Sequence, residues 1–84
     1  MASAETARNT RLRSARQALG LRSQQQLADA VTRAGLGIGL HISITERTVR
    51  RWESDNPPWP HPDHQAAIEH LFGRPVAELG FAPP

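Results

Sequence analysis

The sequence has no cysteine and no lysine; all ten of its basic residues are arginine. Without cysteine there is no disulfide framework, no thiolate metal site and no thiol nucleophile. The missing lysine, beside many alanines and prolines, reads as the mark of a GC-rich genome. No apolar run is long enough to cross a bilayer. The opening MASAETARNT lacks the apolar core of a signal peptide. No nucleophile–base or paired-carboxylate arrangement stands out, so no enzyme is expected. There are no internal repeats. What is present is a chain of 84 residues, which reads as one small domain. A domain of this size buries only roughly 60–65% of its unfolded surface, too little to build a deep catalytic cleft.

A net charge of +2 says little about partners, but its distribution says more. Residues 1–51 hold nine arginines against Glu5, Asp29 and Glu46. Residues 52–84 hold Arg74 against Glu53, Asp55, Asp63, Glu69 and Glu78. A basic half joined to an acidic half suggests a face for a polyanion.

The pattern along the chain is helical and punctuated. Residues 1–5 read as a flexible N-terminus. A first helix is expected over residues 6–19, with Leu12, Ala15, Arg16 and Leu19 on one stripe, and a stop at Gly20. Ser23 and Gln26 form a capping box for a second helix. Leu27, Val31 and Ala34 are its expected inner stripe, and Gly35 its expected end. In GLGIGLHIS, Leu36, Ile38, Leu40, Ile42 and Ile44 alternate with small or polar residues. Period two argues for an extended segment, and the glycines argue against a strong strand. An extended loop with its apolar side over the core is expected. It is not a phosphate-cradling loop, because no Gly-Lys-Ser/Thr follows. Thr45 caps a third helix. The proline-rich SDNPPWPHPD breaks the chain, with Trp59 as a lid on the core. Pro62 opens a fourth helix carrying Ala67, Ile68, Leu71 and Phe72 inward and ending at Gly73. A fifth short helix starts at Pro75, anchored by Val76 and Leu79. Residues 82–84 read as the start of a linker.

The stretch ITERTVRRWES carries the functional signal. At 100° per residue, Val49 and Trp52 share one face of the third helix, and Arg47, Arg50 and Arg51 share the opposite one. The apolar face docks the helix, and the arginine face is presented outward. An α-helix fits the major groove of DNA, and arginine's fork of donors fits guanine O6 and N7. Arg16 lies on an inner stripe and needs a partner; Glu53, directly after Trp52, is the natural one. Four histidines raise the question of a metal. His61 and His64 are three apart, and no cysteine or organised acid joins them or His41 and His70, so no metal and no cofactor are expected. His61 is expected to cap the fourth helix. Asn56 and His64, near that helix's N-terminus, are candidate phosphate contacts.

LGLRSQQQLADAV, ITERTVRRWES and AAIEHLFGRPVAELG resemble the helix-turn-helix of phage repressors and of the xenobiotic-response-element (XRE) family of bacterial regulators. The resemblance covers about Leu12 to Phe81. It implies a compact all-α, five-helix, lambda-repressor-like domain over residues 6–81, with a recognition helix over about 45–54. By that resemblance Thr45, Glu46, Arg47 and Arg51 match base-reading positions. Gln24 matches a phosphate contact at the start of the second helix, and Thr48 a backbone contact, with Arg50 reaching a phosphate. Glu46 either accepts from cytosine N4 or satisfies the helix dipole. The family also pairs the positions of Arg16 and Glu53. The chain departs from the family between the second and third helices, where residues 32–43 replace a turn of three or four residues. This insertion could extend the second helix, touch DNA, bind a partner or cover the core; core cover is the expectation. The resemblance implies a cytoplasmic, nucleoid-associated regulator that binds double-stranded DNA, with a homodimer on DNA and further domains after Pro84 as open possibilities. The rival reading is a protein-interaction module that uses the 36–42 apolar flap.

Overall fold

The computed structural model describes residues 9–83, and within them every regular element is helical. Four α-helices follow in order: α1 (Thr10–Ala18), α2 (Gln24–Gly37), α3 (Glu46–Trp52) and α4 (Pro62–Phe72). A 3-10 turn, Val76–Leu79, comes last. The fifth element is therefore not an α-helix. It is confined to four residues between Pro75 in extended conformation and Gly80 at φ 89°. That span is too short for a ladder of i→i+4 bonds, and the tighter turn is the form short pieces take. The expected free end at 1–5, the helix start at Thr6, the last linker residue Pro84, and Arg8, whose sequence position suits either a phosphate contact or solvated surface, lie outside the described residues. Among the described residues, no helix is long and apolar enough to cross a membrane.

Each helix boundary has a local cause. Asn9 is non-helical and caps α1, its Oδ1 accepting from the Leu12 N–H at 3.2 Å, so α1 starts at Thr10. At the other end, the Leu21 N–H donates to the Arg16 carbonyl at 3.1 Å and closes the last turn. That closure carries Leu19 outward, 48% exposed, against the inward stripe expected for it; Leu12, Ala15 and Arg16 are buried. Ser23 caps α2 through the Gln26 N–H at 3.0 Å. Gln26 does not return the bond to Ser23; its Oε1 takes the Arg22 N–H, at 2.6 Å.

The second helix runs past Gly35 to Gly37. Gly35 is a contact, not a stop: a Cβ there would stand 2.8 Å from Ile42 Cδ1 and 3.4 Å from the Ala67 Cβ. The stop is Gly39, at φ 82°, with the Leu40 N–H donating to the Gly35 carbonyl and the Gly39 N–H to the Leu36 carbonyl. This six-to-one and five-to-two pairing is the Schellman closure, which needs a left-handed residue. The extended segment therefore shrinks to residues 40–45, and the expected flap is divided. Leu36, still on the helical period, points outward at 58% exposure, and Ile38 is 40% exposed. Ile42 packs against the core and Ile44 is buried in it. Ala34 is only half-buried, and Ala28 and Gly35 take the inner positions beside Leu27 and Val31. The Thr32 hydroxyl ties the loop's return, donating to the Ala28 carbonyl at 2.9 Å and accepting from the Ile44 N–H at 3.0 Å.

The core gathers Leu12, Leu27, Val31, Val49, Ile68, Val76 and Leu79, all fully buried. Trp59 packs against it from the proline-rich segment. Among the described residues three polar side chains are buried with the core: Asn9, Arg16 and Glu53. Asn9 is the uncharged one. The Asn9 Nδ2 donates to the Trp52 carbonyl at 3.0 Å and to the Leu79 carbonyl at 2.9 Å. Its backbone N–H donates to the Glu53 carbonyl at 3.2 Å. Every donor and acceptor of that amide is used, joining α1, the end of α3 and the 3-10 turn. Gly80 makes room for it: a Cβ there would overlap the Asn9 side chain.

Asn9→Ala removes a helix cap and strands two buried carbonyls, so it is expected to destabilise the chain by about 2–4 kcal/mol. Urea unfolding checks this. A loss under about 0.5 kcal/mol would show that water replaces the amide.

Candidate functional site

The third helix is built for two environments. The Thr45 hydroxyl caps it, accepting from the Thr48 N–H at 3.3 Å and lying 3.2 Å from the Thr48 hydroxyl. Val49 and Trp52 are buried, Trp52 with its ring edge toward Phe81 at 6.3 Å and 80°. Glu46, Arg47, Arg50 and Arg51 are exposed. Arg50 reaches back to Glu46 at 3.8 Å, an exposed i,i+4 pair of little stabilising value. Among the described residues, Arg47 and Arg51 make no ion pair. Two free guanidinium groups therefore stand one helical turn apart on the outward face.

Behind α3, Arg16 and Glu53 form a buried ion pair. Arg16 Nε donates to Glu53 Oε2 at 2.8 Å and its Nη2 to Oε1 at 3.4 Å, with both side chains 6% exposed. Arg16 Nη1 donates to the Leu21 carbonyl at 3.1 Å. Gln24, assigned to a phosphate by resemblance, donates its amide to Glu53 Oε1 at 3.1 Å. Its carbonyl oxygen cannot donate to a phosphate, so any phosphate contact must use the second amide hydrogen.

A depression of about 500 Å³ lies over this group, bounded by α1, the start of α2 and α3. Arg13, Arg22 and Arg50 line it with Ser23 and Gln24. Arg22 is the residue the sequence reading passed over. It lies in the turn before Ser23, where helical periodicity is silent; only its neighbourhood to a helix N-terminus could have marked it. Arg13, Arg22 and Arg50 are all exposed. Another depression, about 600 Å³, runs between α1 and the 3-10 turn. It holds Arg11, and its second arginine, Arg74, is already paired with Glu78 at 3.4 Å.

The remaining candidates divide. Asn56 is exposed in the turn after α3. His64 is half-buried on the first turn of α4, its ring edge against Trp52 at 6.1 Å and 67°. Burial, and then the charge of His61, hold its pKa below the ordinary 6.5, with Asp63 opposing. His61 caps α4 with Nδ1, which accepts from the Asp63 N–H at 3.3 Å. Among the described residues, no three histidine, aspartate or glutamate side chains gather as a metal-binding group.

No family model matches the chain, and no curated protein or solved structure matches it either. What the geometry offers is a short helix whose outward arginines adjoin two more exposed arginines, Arg13 on α1 and Arg22 in the turn before α2. Such an array suits a polyanion with regularly spaced charges, since guanidinium groups pair phosphate and base edges alike.

Arg16→Ala leaves the Glu53 carboxylate buried with only Gln24 and is expected to cost on the order of 3 kcal/mol. Replacing the pair together, Arg16→Met with Glu53→Leu, is expected to recover much of that loss. Thermal melting of the parent and the two variants decides the matter: equal melting of Arg16→Ala and the parent would reduce the pair to a surface contact.

Proposed function

We propose that the chain binds double-stranded DNA sequence-specifically, with α3 in the major groove. It would serve as the DNA-binding domain of a bacterial transcriptional regulator similar to the XRE family and phage repressors, acting in the cytoplasm on the nucleoid. The observation that carries this reading is the division of α3. Its inward face is closed by Val49 and Trp52, and its outward face holds exposed Arg47, Arg50 and Arg51. In this reading Arg47 and Arg51 meet base edges as forks of donors. Arg50, Arg13 and Arg22, with Gln24 and Thr48, hold phosphates and set the register. Glu46 reads cytosine N4 with the carboxylate oxygen that Arg50 leaves free. The Thr45 hydroxyl caps the helix with one lone pair and meets a base with its proton or its second lone pair. Asn56 and His64 lie at the margin of the contact. No reaction is catalysed and no cofactor is needed.

A helix of seven residues is about 10 Å long and covers only about three base pairs at 3.4 Å each. Two copies on a palindrome would lengthen the site read. A second reading draws on Leu36 and Ile38, which expose apolar surface at the end of α2. In it, the same fold is a protein-interaction module and α3 reads no DNA.

Selection from a random duplex pool supplies the operator for the test. Arg47→Ala and Arg51→Ala are each expected to cost about 1–3 kcal/mol on the selected duplex and to relax preference at one or two base pairs. Arg13→Ala and Arg22→Ala should weaken selected and scrambled duplexes alike. Loss of equal size on both duplexes for Arg47 and Arg51 would make them phosphate contacts. No loss would hand the function to the second reading.

Salt provides an independent check. The logarithm of the binding constant should fall with the logarithm of salt concentration at a slope of about −0.9 per phosphate neutralised. Affinity unchanged between low and moderate salt would end the DNA reading.

A further inference from the structure

We propose that His61 and His64 form a proton-operated latch between the first turn of α4 and Trp52 of α3, closed when both rings are neutral and released in mildly acidic solution. This holds whatever α3 binds. Two separate geometries require the neutral rings. Pro62 has no N–H, so Asp63 supplies the first free donor of α4, and it is the imidazole Nδ1 of His61 that accepts from it. That bond assigns the ring proton to Nε2. An imidazolium is a donor at both nitrogens and accepts nothing. Protonation therefore removes the cap outright, where a serine or aspartate would keep it.

One turn on, the His64 ring stands 5.6 Å from that of His61 and 6.1 Å from that of Trp52. Trp52 is only 3% exposed, and both His64 and Phe81 stand in T-shaped contact with its ring. His64 thus covers the side chain that anchors α3. A proton on it would put a charge into a half-buried contact, beside a second imidazolium, in the first turn of a helix whose dipole already repels cations. The charged groups acting on His64 are His61 and Asp63, both on α4. Trp52 and Phe81 carry no charge, and the Glu53 carboxylate next to Trp52 is held by Arg16.

The pH dependence follows from the lowered pKa of His64. The folded chain takes up this proton less readily than the unfolded one, so stability rises with pH. The contribution is fully present above the unfolded value of 6.5 and is lost as pH falls through the lower folded value. His41 and His70 are exposed and serve as internal controls.

The test compares thermal melting of the whole chain at about pH 7.5 and about pH 5, the range in which histidine titrates. The parent should lose about 4–8 °C in Tm over that range. His61→Asn keeps a cap that does not titrate, and His64→Phe keeps an aromatic edge on Trp52. The double variant should lose less than about a third of the parent's shift, and His41→Gln with His70→Gln should keep all of it. Trp59→Phe leaves Trp52 as the sole fluorophore, and its emission should shift to the red over the same acid range in the parent background. The proposal is overturned if the double variant falls as steeply as the parent, or if the control variant abolishes the shift. Should the double variant fail to fold, NMR titration of the parent decides. A His64 midpoint clearly below 6.5 upholds the latch, and one at or above 6.5 overturns it.

Discussion

The ion pair between Arg16 and Glu53 fixes three helices by one pair of charges. Arg16 lies on α1, and Glu53 is the residue that ends α3. Gln24, at the start of α2, bonds to the same carboxylate. Removing two charges from water costs several kcal/mol per ion, so the pair persists only because its hydrogen bonds are filled. They are filled here: Arg16 also donates to the Leu21 carbonyl, and no buried side-chain polar atom among the described residues lacks a partner. Any rotation of α3 about its axis would break this set. The outward direction of Arg47 and Arg51 is thus decided behind the helix, by a buried ion pair and the half-buried Gln24.

The parts of this arrangement that were legible in the sequence are those that depend on local spacing. Val49 and Trp52 against Arg47, Arg50 and Arg51 is a matter of angle per residue, and the helix shows that division. Ser23, Thr45 and His61 occupy the cap positions expected of them. An arginine on the inner stripe of α1 announced a buried acid. Asn9 gave no such signal. Its partners Trp52 and Leu79 lie 43 and 70 residues away, and nothing in the local pattern separates a cap that faces solvent from one that faces the core.

The misjudged positions share a cause. Leu19 fits the period of α1, yet the closing turn at Gly20 rotates it outward. Gly35 has the look of a breaker, and it is a close contact of α2 with Ile42 and Ala67 that leaves no room for a Cβ. The alternation from Leu36 to Ile44 suggested one extended segment. Its first two residues belong to α2, so only its second half, Ile42 and Ile44, turns inward. In each case a tertiary contact or a closing turn overrode a period that was real but too short to decide. At the interface, the resemblance assigned Gln24 to an external phosphate before its internal use by Glu53 could be seen.

The reach of Asn9 bears on how the chain comes together during synthesis. Its side chain waits for the Leu79 carbonyl, and the core waits for Val76, Leu79 and Phe81. Helices α1 to α3 emerging from a ribosome therefore have Trp52 without its Phe81 edge and Asn9 without its second acceptor. Contacts of such separation form late, because the chain between them must first be ordered. The domain should stay loose on the ribosome until residue 81 has cleared the exit tunnel. It would then close in one step, with Val76, Leu79 and Phe81 acting as the trigger for Asn9 and Trp52.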